Sequence, residues 1–223
     1  MLRVPCPNCG AEVLFRSPAL PSRVCDYCQT IVVRRGQSVE AVGKAAVLPF
    51  DVSPIQIGTR GRFDGQGFEV IGRVRWGWTD GSWNEWLLLF DDGRDGWLGE
   101  AMGQLMLLKE RALGDMRSNA INALADGKPI EVGMEAVLDG EMMMVADARE
   151  ATCIAAEGEL PFPAPVGLTI FSVDFRSPSG ACASLQREGE MPTLFAGRYV
   201  TFDDIAATGL RVIEGWRVPA FGG

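Results

Sequence analysis

Short stretches of alternating apolar and polar residues, broken at close intervals by glycine, proline and aspartate, run through most of the chain and predict an all-β fold. Ala11–Phe15 and Thr30–Val33 read as short strands. Phe68–Trp78, Trp83–Leu87 and Leu168–Arg176 read as longer ones. Asp64-Gly65, Asp80-Gly81, Asp92-Gly93 and Asp139-Gly140 carry the dipeptide that favours tight hairpin turns. Helical spacing occurs once, at Leu113, Met116, Ala120, Ile121 and Leu124, before Gly127 and Pro129 stop it. Thr201–Thr208 suggests a short capped turn, and Leu210–Val218 a last strand.

Part of this pattern occurs twice. Pro54-Ile55-Gln56-Ile57-Gly58, continuing to Asp64-Gly65, is echoed 75 residues later by Pro129-Ile130-Glu131-Val132-Gly133, continuing to Asp139-Gly140. Val70 and Val145 also match. Two copies suggest tandem β-units that bury their apolar faces against each other. After that point they diverge, and the second contains the insertion Leu160-Pro161-Phe162-Pro163-Ala164-Pro165. The expected architecture is all-β and mainly antiparallel. A small amino-terminal module at 1–36 and a linker at 37–53 precede a first β-unit at 54–111. A helical connector at 112–128 and a second, degenerate β-unit at 129–223 complete it.

The amino-terminal module carries the clearest chemistry. Cys6-Pro7-Asn8-Cys9 and Cys25-Asp26-Tyr27-Cys28 are two CxxC turns fifteen residues apart, the spacing of a zinc ribbon. Each turn presents two thiolates to one ion, and two turns complete a tetrahedral shell. A thioredoxin-type redox pair needs only one CxxC, at a helix start. A rubredoxin-like iron site usually has a longer gap, and four disulfide cysteines require an oxidising compartment. Zn2+ is therefore the expected cofactor, structural because cysteine fills all four positions.

Four of the six tryptophans lie in RWGWTDGSWNEW, residues 75–86, and Trp97 follows. With Asp80-Gly81 as a two-residue turn, Trp78 faces Trp83, Trp76 faces Glu85 and Arg75 faces Trp86 as a cation–π pair. Phe68, Val70, Val74, Trp76 and Trp78 then share one face. With Asp92-Gly93 as another two-residue turn, Leu88 faces Trp97 and Glu85 faces Glu100. Two opposed carboxylates need a shared proton, an arginine or a bound cation. The 75-residue offset places Leu160 where Glu85 stands, so such a site would be single. The bland reading is that the tryptophans pack a core. The candidate ligand- or partner-binding set is Trp76, Trp83, Glu85, Trp86, Trp97 and Glu100.

Composition narrows the function. The chain has no histidine, which removes Ser-His-Asp and Cys-His catalysis and imidazole metal ligands together. Residues 1–44 carry six Lys/Arg against three Asp/Glu, a formal +3; the remaining 15 against 26 give −11, summing to the overall −8. An acidic body does not suit a phosphate backbone, so nucleic acid is not the expected partner. No apolar run has the roughly 18–20 residues of a membrane span, and a cytoplasmic location is expected. Cys153 and Cys182 read as buried free thiols. No Gly-x-Ser-x-Gly, phosphate-binding or dinucleotide-binding motif occurs, and no catalytic residue is assigned.

Ser53–Gly61, Trp83-Asn84-Glu85-Trp86 and Gly96-Trp97-Leu98-Gly99-Glu100-Ala101 resemble the bacterial domain of unknown function 4178, which often follows a four-cysteine zinc ribbon. That resemblance implies no established activity; its genes tend to lie near polyamine-synthesis and membrane-stress genes. The expected function is a non-catalytic, zinc-containing binding or adaptor protein with a protein partner, its recognition surface on the first β-unit. Two alternatives stand: a sensor of polyamine-like cations, and a hydrolase using Glu85 and Glu100.

Overall fold

The computed structural model describes residues 1–36, 38–46, 52–189 and 192–215. It is mainly antiparallel β-structure, as expected. The amino-terminal module contains β1 (Leu2–Pro5), β2 (Glu12–Phe15), β3 (Ser22–Val24), β4 (Thr30–Arg35) and β5 (Ser38–Lys44). β5 occupies the stretch read as linker and pairs with β4.

The first β-unit is a meander of five strands: β6 (Arg60–Phe63), β7 (Gln66–Trp78), β8 (Gly81–Phe90), β9 (Asp95–Ala101) and β10 (Gln104–Arg111). After the short β11 (Met116–Ser118) comes helix α1 (Asn119–Ala125). α1 is shorter than its apolar spacing suggests, because Met116 lies on the preceding strand. Ser118 caps it by accepting the Ala120 N–H at 3.1 Å. The second unit repeats the meander as β12 (Glu135–Leu138), β13 (Glu141–Leu160), β14 (Thr169–Arg176), β15 (Ala181–Arg187) and β16 (Thr193–Val200). Residues 210–215 form no strand, and the rest of the expected last strand lies outside the described residues.

The two meanders join at both edges. β10 pairs with β16, and β7 pairs with β13, each antiparallel. The ring β7-β8-β9-β10-β16-β15-β14-β13 is thus a closed eight-stranded barrel, which leaves none of these strands as an open edge. Copy and copy match in register. Val74 faces Glu85 as Arg149 faces Ser172, and Leu87 faces Trp97 as Asp174 faces Ser184. Equivalent positions lie 75 apart on β7 (74 and 149) and 87 apart on β8 (85 and 172). The second unit, divergent in sequence, therefore keeps the full strand plan with twelve extra residues in its β13–β14 hairpin, part of them lengthening β13.

A recurring turn sets the bends. Gly58, Gly133 and Gly167 have φ of 91°, 93° and 92° and sit in Pro-x-x-x-Gly segments. Their N–H groups donate to the carbonyls of Val70, Val145 and Cys153 at 2.8, 2.8 and 3.0 Å. In each strand a β-bulge follows at once, at residue 71, 146 or 154. The bulge at Ile71 reverses the facing of the residues before it. Phe68 and Val70 accordingly pack with Trp86 and Leu88, not with Val74 and Trp76 as strict alternation had placed them.

Both faces of the barrel wall are covered, which explains the unbroken apolar run Trp86–Phe90. Outside β8–β10, the residues Trp86, Leu88, Leu98 and Leu107 pack under Ile55, Phe63 and Ile205. Outside β14–β16, Val173, Phe175, Leu185 and Leu194 pack under Ala120 and Leu124 of α1. The cysteine module continues the sheet, with Arg23 and Ser22 of β3 opposite Glu159 and Leu160. Its Leu20, Val24, Ile31 and Val33 share a core with Ile71, Val74, Leu87 and Leu160, closing one end of the barrel.

Candidate functional site

The two CxxC segments fold into near-identical turns. Cys6 N–H donates to Ala11 O at 2.7 Å and Gly10 N–H to Cys6 O at 2.9 Å; Cys25 N–H donates to Thr30 O at 2.9 Å and Gln29 N–H to Cys25 O at 3.0 Å. The four sulfurs lie within 4.8 Å of one another. Cys6 and Cys28 Sγ are 3.7 Å apart, and Cys9 and Cys25 Sγ 3.8 Å. A tetrahedron with metal–sulfur bonds of about 2.3 Å has edges of about 3.8 Å, so the donor set fits one metal ion. All four cysteines are free of disulfides.

The tryptophan-rich hairpin differs from its sequence reading in register. The two turn residues are Thr79 and Asp80, so Trp76 faces Trp83, Val74 faces Glu85 and Arg73 faces Trp86. This two-residue shift preserves the faces, but Arg73, not Arg75, lies over the Trp86 ring at 4.7 Å. The next turn has three residues, Asp91-Asp92-Gly93, with Gly93 at φ 83° and Phe90 N–H donating to Arg94 O at 2.9 Å. The extra residue shifts the pairing by one, so Glu85 faces Gly99 and Glu100 faces Asn84. Glu85 and Glu100 consequently sit on opposite faces of the wall.

Each carboxylate is held by indole N–H groups. On the inner face, Trp76 Nε1 donates to Glu85 Oε2 at 2.8 Å and Trp83 Nε1 to Oε1 at 3.0 Å. Gln186 Nε2 reaches from the second unit to Glu85 Oε1 at 2.6 Å. On the outer face, Glu100 Oε2 accepts from Trp86 Nε1 at 3.0 Å, Asn84 Nδ2 at 2.8 Å and Ser53 Oγ at 2.7 Å. The six candidate residues therefore divide. Trp76, Trp83, Glu85 and Trp97 turn inward, whereas Trp86 and Glu100 belong to the covered outer layer.

Of the inward group, Trp83, Glu85 and Trp97 line a cavity of about 350 Å³ within the barrel, whereas Trp76 is packed in the core. Its wall combines Trp78, Trp83, Trp97 and Phe195 with the acids Glu85, Asp147 and Asp174. Burial pushes the Glu85 carboxyl above the usual range, against the pull of its three neutral donors. Asp174 is raised to about 6, first by burial and then by the charges of Glu85 and Asp147. Asp147 is paired with Arg149, whose guanidinium also lies over the Trp78 ring at 4.3 Å. At the end away from the cysteine module, the lining includes the exposed residues Met102, Gln104 and Arg176, which mark the mouth.

Asp174, Gln186, Arg149 and Arg176 were missed by the sequence reading. The constant 75-residue offset pointed to Leu160 as the partner position of Glu85, whereas the register assigns Ser172. Polar residues at alternating positions of an apolar strand, Ser172-Val173-Asp174-Phe175-Arg176, were the available signal.

Fold and site together define a closed antiparallel barrel with a polar, aromatic lumen and a four-cysteine module at its shut end. The family described as Domain of unknown function (DUF4178) matches residues 56–202, more than half of the chain, and the chain belongs to that family. The matched span contains every strand of the barrel. No curated protein and no solved structure matches.

Proposed function

We propose that this chain is a non-catalytic binding protein whose barrel lumen takes up a small organic cation, an amine of polyamine-like character. The observation that carries the reading is Glu85, a buried acid with only neutral donors, set among Trp76, Trp83 and Trp97 beside a second acid, Asp174. An ammonium group entering there gains ion pairing in low dielectric and a ring face for cation–π contact. Glu85 and Glu100 face opposite sides of the sheet, which argues against hydrolysis by that pair. The same reading takes the metal as zinc with a structural role and the location as cytoplasmic. Cys153 and Cys182 are buried free thiols, their pKa values pushed up by burial, which suits a reducing compartment.

An adaptor role has a separate support. Tyr27, on the second cysteine turn, is 77% exposed and offers an aromatic anchor to a protein partner.

Tryptophan emission tests the lumen reading directly, because Trp83 and Trp97 form its wall. Titration of the metal-loaded protein with spermidine and putrescine should give saturable quenching that survives matched salt and disappears in Glu85→Ala. A flat response to both amines would dispose of the proposal. Elemental analysis should find one zinc ion per chain.

A further inference from the structure

We infer that the lumen's ligand is bipolar, with its ammonium group deep between Glu85 and Asp174 and a carboxylate at its other end meeting Arg176 at the mouth. This rests on the amine-binding reading and narrows it.

The inward positions of β14 form a ladder from the shut end to the open one: Ile170, Ser172, Asp174, Arg176. Ser172 lies opposite Gln186, Asp174 opposite Ser184, and Arg176 opposite Cys182. Gln186 donates to Glu85, which fixes the Glu85 carboxylate near the Ser172 rung. Asp174 is one rung nearer the mouth and close enough to Glu85 to be raised by its charge. Arg176 is one rung beyond. Successive inward side chains on a strand are about 7 Å apart, so roughly 7–13 Å separates the deep acids from the guanidinium.

The two arginines of the lumen are not equivalent. Arg149 is committed, paired with Asp147 and stacked on Trp78. Arg176 is exposed and its guanidinium makes no hydrogen bond or ion pair among the described residues. It therefore offers an uncommitted fork of donors suited to a carboxylate. A diamine threading outward from Glu85 would set its second ammonium against Arg176. An ω-amino acid of similar length would set opposite charges at both ends. The acids at depth and the arginine at the rim thus select for one positive and one negative terminus.

The test is a fluorescence titration of the full, metal-loaded chain with 6-aminohexanoate, 1,5-diaminopentane and hexanoate. The amino acid should bind tighter than the diamine by about two- to fivefold, the range an exposed charge pair supports. Arg176→Gln should bring that ratio to about one, and Arg176→Lys should keep a preference. Both substitutions are at an exposed position, so the fold is not at stake. Equal or tighter binding of the diamine by the unmodified chain overturns the bipolar inference and leaves the amine reading standing. Binding of hexanoate as tight as that of the amino acid removes the role of the deep acids and overturns both. No response to any of the three also overturns both.

Discussion

Asp174→Asn should stabilise this protein, and only above a definite pH. In the unfolded chain the carboxyl titrates near 3.8, whereas in the fold it titrates at about 6. Between those values the native state holds the proton more tightly than the unfolded chain. Stability therefore falls as pH rises from about 4 to about 6 and stays lower above it. The shift is roughly two pKa units, which at about 1.4 kcal/mol per unit gives an upper bound near 3 kcal/mol. Partial opening of the lumen to water reduces this to about 1–3 kcal/mol. Asparagine keeps an acceptor for Ser184, the hydrogen-bond partner of Asp174, and has no charge to bury. Urea unfolding of both proteins at pH 4 and pH 8 checks this, since the metal site titrates alike in the two and cancels in the difference. The variant should gain about 1–3 kcal/mol at pH 8 and close to nothing at pH 4. Equal differences at both pH values, or a loss at pH 8, would refute the buried-charge argument.

Other substitutions probe the frame around the lumen. Glu159 is fully buried and accepts from Arg16 N at 2.8 Å, Ser17 N at 3.0 Å and Arg23 Nη1 at 3.4 Å. Glu159→Ala strands two backbone donors and leaves the largely buried Arg23 guanidinium with Asp26 alone, and should cost about 3–5 kcal/mol. Calorimetry should then show a midpoint lower by roughly 6–20 °C, and an unchanged midpoint would sink the idea that this contact docks the module. A Cβ on Gly72 would stand 1.8 Å from the Glu159 carbonyl oxygen, whereas one on Gly99 meets nothing nearer than 3.5 Å. Gly72→Ala should therefore lose about 3 kcal/mol or more and Gly99→Ala under about 1, compared by denaturant midpoint. Chelation of the metal should expose the amides of β1–β4 to hydrogen exchange while β8 and β9 stay protected, as mass spectrometry would resolve. Uniform deprotection would mean that the module and the barrel unfold as one unit.

What the sequence disclosed follows the range of the interactions involved. The cysteine cluster was legible because four identical donors at fixed spacing leave little choice of geometry. The strands and the duplication were legible because alternation and the Asp-Gly turns are local. Facing across a sheet is not local. One unforeseen residue in the Asp91-Asp92-Gly93 turn moved Glu100 to the far side of the wall, and the bulge at Ile71 did the same to Phe68 and Val70. Barrel closure was out of reach, since the pairing of β10 with β16 joins segments nearly ninety residues apart with no turn between them to signal it.

Closure also gives the duplication its functional sense. A five-stranded meander alone presents an inner face that must be covered, and two of them cover each other. Had the copies stayed identical, the lumen would repeat the same groups across its axis, and two glutamates would confront each other without a counter-charge. The copies instead diverged at matched rungs. Glu85 corresponds to Ser172, Gly99 to Gln186, and Leu87 to Asp174. The first copy contributes the carboxylate and most of the tryptophans; the second contributes the amide that holds that carboxylate, the second acid, and Arg176 at the rim. Gly99 leaves room in the first copy at the position where the second carries Gln186. A lumen that is acidic at depth and basic at its mouth thus requires both copies, and the residues added to the β13–β14 hairpin lengthen β13, the strand on which the cysteine module shuts the opposite end.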